Sequence, residues 1–148
     1  MKRTIKKAFT LVELLFVMAI ISILAGFAIA NLNDSTRIAL IASMKQDART
    51  AINIQNQIHL DHNTYATLYG IVSPDANGIV TVTVNGTNYK IPMSKGNKIA
   101  MSSQTLGTPP EKVFNVNVYN SEVKGASTGF YAPRAFFNSS YGHLIFAE

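Results

Sequence analysis

Phe9 to Ala30 reads FTLVELLFVMAIISILAGFAIA. These 22 residues, at about 1.5 Å per residue, form a helix of about 33 Å, which matches a hydrocarbon core of about 30 Å. The only ionisable side chain in the stretch is Glu13, and the other polar ones, Thr10 and Ser22, can bond back to the helix's own carbonyls. The stretch therefore predicts a membrane-spanning helix. Lys2, Arg3, Lys6 and Lys7 precede it and no comparable cluster follows, so the positive-inside rule places the amino terminus in the cytoplasm. Everything beyond about Asn31 is expected on the far side.

The rest of the composition is that of one small domain attached to this apolar element. Of 148 residues, 47% are hydrophobic and 14% charged, which excludes a large multidomain enzyme. Lys and Arg number 13 against 8 Asp and Glu, but four of the 13 sit in the leader, which leaves 9 against 8 elsewhere. Scattered cations in near balance do not support a nucleic-acid partner. The absence of cysteine excludes disulfides, thiolate zinc sites and a thiol nucleophile, and leaves export open.

Three readings compete for the apolar stretch. A secretory signal peptide would use Ala28-Ile29-Ala30 as a small-x-small cleavage site and release the domain after Ala30. A plain signal anchor would tether the domain. Both leave Glu13 without a task, although an acid near a helix centre costs about 2.5 to 3.5 kcal/mol on insertion. A carboxylate near the cytoplasmic end can also reach the interface or pair with Lys6 or Lys7.

The third reading gives Glu13 work. Lys6-Lys7-Ala8-Phe9-Thr10-Leu11-Val12-Glu13-Leu14 resembles the processing site of type IV pilins and of the pseudopilins of type II secretion. The resemblance implies cleavage between Ala8 and Phe9, N-methylation of Phe9, and a role in subunit assembly for Glu13, the fifth residue after the cut. It also implies a precursor of a filament subunit, polymerised through its apolar helix into a pilus or pseudopilus. Expected partners are other copies of the chain, a prepilin peptidase and methyltransferase, a platform protein of the inner membrane with its assembly ATPase, and membrane lipid before assembly. The expected location is the bacterial inner membrane, then the periplasm or cell surface. Two positions depart from the family pattern: Ala8 stands where Gly is usual, and no Pro occurs near Ala30.

The physical logic is charge neutralisation. Cleavage creates an ammonium at Phe9 beside an apolar medium, where an unpaired cation and an unpaired carboxylate are both costly. Each satisfies the other, within one helix or between staggered helices, and N-methylation keeps the positive charge. The uncut chain has only an amide nitrogen there.

From Asn31 to about His62 the helical pattern continues. Ile38, Ile41, Met44, Ala48, Ile52, Gln55 and Ile58 recur at three- and four-residue steps, with Asp34, Arg37, Lys45, Asp47, Arg49, Asn53 and Asn56 opposite. Asn33 to Thr36 could cap a fresh helix start. Without that break Phe9 to His62 would be one helix of 54 residues, roughly 80 Å long. Ile79 to Val84 alternates β-branched and hydroxyl residues, Asn85-Gly86 is a two-residue hairpin turn, and Tyr89 to Ile91 begins the return. Val113 to Tyr119 and His143 to Ala147 read as further strands, and Gly107-Thr108-Pro109-Pro110 as a stiff connector.

The expected fold class is α+β: a long amino-terminal helix, membrane-spanning in its first half and amphipathic in its second, packed on a small antiparallel sheet domain. The expected divisions are a leader of residues 1–8, an assembly helix of 9–31, an amphipathic helix of 32–62 and a β-rich domain of 63–148.

Other candidate sites carry weaker signals. His59, Asp61 and His62 could share a metal, but histidine favours helix C-termini and Asp61-His62-Asn63-Thr64 looks like an exit turn. Ser73 to Gly78 faintly resembles a calcium loop and lacks its acidic first and last ligands, so a turn is expected. Ser94 to Lys98 reads as a solvated loop. Tyr131, Phe136, Phe137 and Tyr141 could form an adhesive aromatic surface, with core or subunit packing as the commoner fate. No motif supports enzymatic activity, a cofactor or a resident metal.

Overall fold

The computed structural model describes residues 9–123 and 134–147, with side chains at all of these except 28–33 and 147. One helix, α1, spans Leu11–His62, and two units divide between Arg37 and Ile38. The helix is continuous through Asn33 to Thr36, so these residues do not cap a second start. It ends where Asn63 adopts a left-handed conformation (φ 50°). The Asn63 N–H bonds to the His59 carbonyl at 2.8 Å, a usual way of closing a last turn.

In the first unit every described side chain from Phe9 to Phe27 is exposed. Ser22 Oγ donates to the Met18 carbonyl at 2.8 Å, which hides its polarity within the helix. Among the described residues no helix is long and apolar enough to cross a membrane. The expected span from Phe9 to Ala30 is therefore not supported there; the side chains of Ala28, Ile29 and Ala30, its last three residues, lie outside the described residues.

The second unit holds the sheets. Strands β1 (Ile79–Val84) and β2 (Thr87–Pro92) form the expected hairpin. Asn85 and Gly86 at its turn both have positive φ, 49° and 81°, as a type I′ turn requires. A second, four-stranded antiparallel sheet runs in the order β3 (Asn97–Leu106), β4 (Glu111–Asn120), β5 (Arg134–Asn138), β6 (Leu144–Ala147). Gly107 to Pro110, expected as a stiff connector, is the tip of the β3–β4 hairpin, closed by the pair Leu106 and Glu111. Sequence periodicity does not reveal β3 and β5. Only three positions of β3 are buried, Asn97, Ile99 and Met101, and one is polar, so apolar alternation is nearly absent. β5 is five residues long.

One core joins the helix to both sheets. Met44, Ala48, Ala51, Gln55 and Ile58 are buried at alternating steps of four and three, the seam of a helix lying on a flat surface. Against them stand Ile99, Met101, Phe114, Val116, Val118 and Ala135, with Val80, Val82, Tyr89 and Ile91 from the hairpin. Burying each large apolar side chain contributes roughly 1.5 to 3 kcal/mol. The seam is rotated slightly from the predicted stripe: Ile38 is 68% exposed and Ile41 and Ile52 only flank it, while Ala51 lies on it. Alanines at 48 and 51 let the sheet approach the helix axis.

Two polar devices inside this core are invisible to sequence periodicity. Asp47, expected on the wet face, is 5% exposed. Its carboxylate accepts from the Ser94 N–H (2.8 Å), the Ser94 hydroxyl (3.0 Å) and Asn97 Nδ2 (2.7 Å). Asn97 Nδ2 also reaches Ser43 Oγ at 3.2 Å, and Asn97 Oδ1 accepts from Asn120 Nδ2 at 2.7 Å. The stretch Ser94 to Lys98, expected as a solvated loop, is therefore tied into the core at Ser94 and Asn97. Gly96 holds φ +81°, and a Cβ there would stand 3.3 Å from Asn120 Nδ2.

The second device is Gln55, fully buried. Its Nε2 donates to the Ala66 carbonyl and its Oε1 accepts the Ala66 N–H, both at 2.8 Å. The amide thus completes the backbone hydrogen bonding of the segment leaving the helix, which then runs beside β3 through Leu68 N–H to Met101 O (2.9 Å) and the Val72–Ile99 bridge. Gln55→Leu keeps the volume but orphans a buried donor and acceptor. It should destabilise by about 2 to 3 kcal/mol and lower the melting temperature by roughly 10 °C. Near-UV circular dichroism of the full chain in detergent checks this; an unchanged melt would show that Ala66 finds other partners.

Candidate functional site

The start of α1 is built as a capping box. Thr10 is the residue before the first helical turn and Glu13 the third within it, the spacing at which the two side chains satisfy orphan helix donors reciprocally. The Glu13 N–H donates to Thr10 Oγ1 at 3.3 Å. Glu13 Oε2 accepts both the Thr10 N–H (3.0 Å) and the Thr10 hydroxyl (2.9 Å). The Thr10 hydroxyl, expected on a helix carbonyl, bonds Glu13 instead. The sequence signal for this arrangement is T-x-x-E before an apolar run.

The arrangement has a chemical consequence. An anion at a helix N-terminus faces the positive end of the helix dipole, so a carboxylate in an otherwise apolar helix is placed where its charge costs least. Oε2 carries both bonds from Thr10, and among the described residues Oε1 has no hydrogen-bond partner. The Thr10 N–H is a peptide amide before and after any cut between Ala8 and Phe9, so the box does not depend on processing. Phe9 is 77% exposed next to it. Ala8, Lys6 and Lys7 lie outside the described residues.

The surface presented behind this cap is apolar throughout. Phe9, Leu11, Val12, Leu14, Leu15, Phe16 and the side chains onward to Phe27 are all exposed. Contiguous apolar surface of this extent marks a membrane or protein interaction site.

The other candidates are placed as follows. His59 stacks on Tyr65 (4.5 Å between centroids, 15°), and His62 meets the Tyr89 ring edge-on (5.9 Å, 88°). Asp61 accepts the Tyr89 hydroxyl at 2.7 Å; burial foremost, and then this bond, hold the Tyr89 phenol above its usual pKa. The three side chains thus turn to aromatic neighbours, and among the described residues no group of three or more His, Cys, Asp or Glu is placed to hold a metal. Asp75 Oδ1 accepts the N–H groups of Asn77 (2.9 Å) and Ile79 (2.8 Å), so Ser73 to Gly78 contains the expected turn. Phe136 and Phe137 point to opposite faces of β5: Phe137 packs on the core beside Phe114 (5.5 Å), while Phe136 faces outward. Tyr141 is exposed and Tyr131 lies outside the described residues.

No curated protein and no solved structure matches the chain. A family model does: residues 3–29, which contain the capping box and most of the exposed apolar run, match the prokaryotic N-terminal methylation motif. The chain carries the prepilin-type amino-terminal signal of type IV pilins and pseudopilins.

Proposed function

We propose that this chain is the precursor of a type IV pilin-like filament subunit. A prepilin peptidase cuts between Ala8 and Phe9 and methylates Phe9. The helix from Phe9 to Ala30 holds the subunit in the inner membrane, and the platform protein and its ATPase then move it into a pilus or pseudopilus. The observation that carries this reading is an ionisable Glu13 standing at the head of an uninterrupted, exposed apolar helix, inside the stretch that matches the methylation motif.

Proteolysis arms the subunit in this scheme. The new ammonium at Phe9 needs a counter-ion in a medium that cannot hydrate it, and a neighbour's Glu13 has a carboxylate oxygen to give while Thr10 holds the other. Helix packing and this pair favour association in lipid, where apolar burial alone gives little. Outside the membrane, the same bundle is held by burial from water.

The test is the mature amino terminus. Mass spectrometry of the protein purified from cells is expected to find N-methyl-Phe9. A chain beginning at Asn31 would instead establish a conventional signal peptide cut after Ala30, and one beginning at Met1 a simple anchor; either overturns the filament reading.

A further inference from the structure

The outward face of the four-stranded sheet carries a hollow of about 580 Å³, within the size range of small-molecule sites. Its origin is a size mismatch across the strands. Ala100 on β3 pairs with Asn117 on β4, which pairs with Phe136 on β5, so a short side chain stands in a row with two longer ones. Gly70, in the segment along the free edge of β3, deepens that side, and Tyr141 in the β5–β6 turn closes the other.

The floor is polar but only partly committed. Asn138 Nδ2 donates to Asn115 Oδ1 at 2.6 Å, and Asn138 Oδ1 accepts the Ser140 N–H at 2.7 Å, which locks those two amides in place. Asn117 and Tyr119 are half-buried, and neither the Asn117 side-chain amide nor the Tyr119 hydroxyl makes a hydrogen bond among the described residues. Burial holds the Tyr119 phenol above its usual pKa against the opposing pull of Arg134, so the hydroxyl keeps its proton and can both donate and accept. An amide offers two donors and an acceptor beside it.

These groups select a ligand class. Among the lining residues stands one cation and no carboxylate, so neither a metal nor a polyanion is matched. A wholly apolar ligand would strand the Asn117 amide and the Tyr119 hydroxyl. A pyranose ring meets both demands: its hydroxyls donate and accept, and its C–H face suits the ring of Tyr141 and the face of Phe136 opposite the Arg134 guanidinium, which lies over the other face at 5.8 Å from the centroid. We propose that this hollow is a carbohydrate-binding site for neutral sugars, with Asn117 and Tyr119 bonding ring hydroxyls and Phe136 and Tyr141 supplying the apolar plates. The proposal concerns the sheet unit alone and holds whether or not the chain polymerises.

Saturation-transfer NMR on the full chain in lauryldimethylamine oxide micelles, which contain no sugar, tests it with lactose, maltose and diacetylchitobiose at millimolar concentration. At least one should show transfer and a millimolar or tighter Kd. Asn117→Ala and Tyr119→Phe, which remove little volume, should each weaken it roughly five- to tenfold, about one hydrogen bond's worth, at an unchanged melting temperature. Transfer to none of the three sugars overturns the proposal, as does binding that survives the Asn117→Ala/Tyr119→Phe double variant. Binding of sialyllactose without lactose overturns the assignment to neutral sugars.

Discussion

Glu13→Ala is expected to leave the chain in the membrane fraction, cut before Phe9, and to abolish filaments. Two effects of the substitution differ in size. Loss of the capping box with Thr10 removes hydrogen bonds at one helix end, which costs about 1 kcal/mol. In the proposed assembly, loss of the carboxylate would leave the Phe9 ammonium of an adjoining subunit uncompensated in an apolar bundle, at a cost of about 3 to 5 kcal/mol at each contact. Since about 1.4 kcal/mol is a factor of ten, the second loss raises the concentration needed for assembly by roughly a hundredfold or more, and the first by less than tenfold.

Glu13→Gln separates the two. Its amide oxygen can still accept from Thr10, so the cap survives, but the charge is gone. Electron microscopy of sheared surfaces should find no filaments for either variant. Filaments at normal abundance in Glu13→Gln would assign Glu13 to helix capping and remove the charge pair from the assembly mechanism.

The second large effect lies in the sheet unit. Asp47→Ala should destabilise it by about 3 to 4 kcal/mol, lowering the melting temperature by roughly 15 °C. The substitution leaves three donors, the Ser94 N–H, the Ser94 hydroxyl and Asn97 Nδ2, facing a cavity. Only Asn97 Nδ2 has a second acceptor, Ser43 Oγ at 3.2 Å. Asp47→Asn is the sharper probe, because it preserves shape while replacing one acceptor oxygen with a donor. It should cost clearly less than alanine, because the retained oxygen still accepts from the Ser94 N–H and Asn97 Nδ2 and the Ser94 hydroxyl can turn to accept from the new amide. A melt for Asp47→Asn as low as that of Asp47→Ala would show that the charge, not the hydrogen-bond pattern, holds the cluster.

Asp47 also illustrates where sequence reasoning stops. Asp at that position fits a wet helix face equally well, and nothing near it in the chain announces Ser94 or Asn97, which lie 47 and 50 positions away. Gln55 is the converse: it falls on the predicted buried stripe, and only the return of the chain at Ala66 supplies the partners that let an amide stay there. The hollow on the sheet is further still from view. It depends on which residues of three strands stand side by side, and two of those strands, β3 and β5, carry too little apolar alternation or length to be seen.

The amino-terminal signal, the uninterrupted helix and the Asn85-Gly86 hairpin were legible because each is governed by local rules. The length of an apolar run, a missing Pro and a turn needing positive φ are properties of neighbouring residues in the chain. Which polar side chains are buried, where the helix seam lies and what the outer sheet face can hold were decided by tertiary structure, because desolvation and hydrogen-bond pairing depend on groups brought together from distant positions.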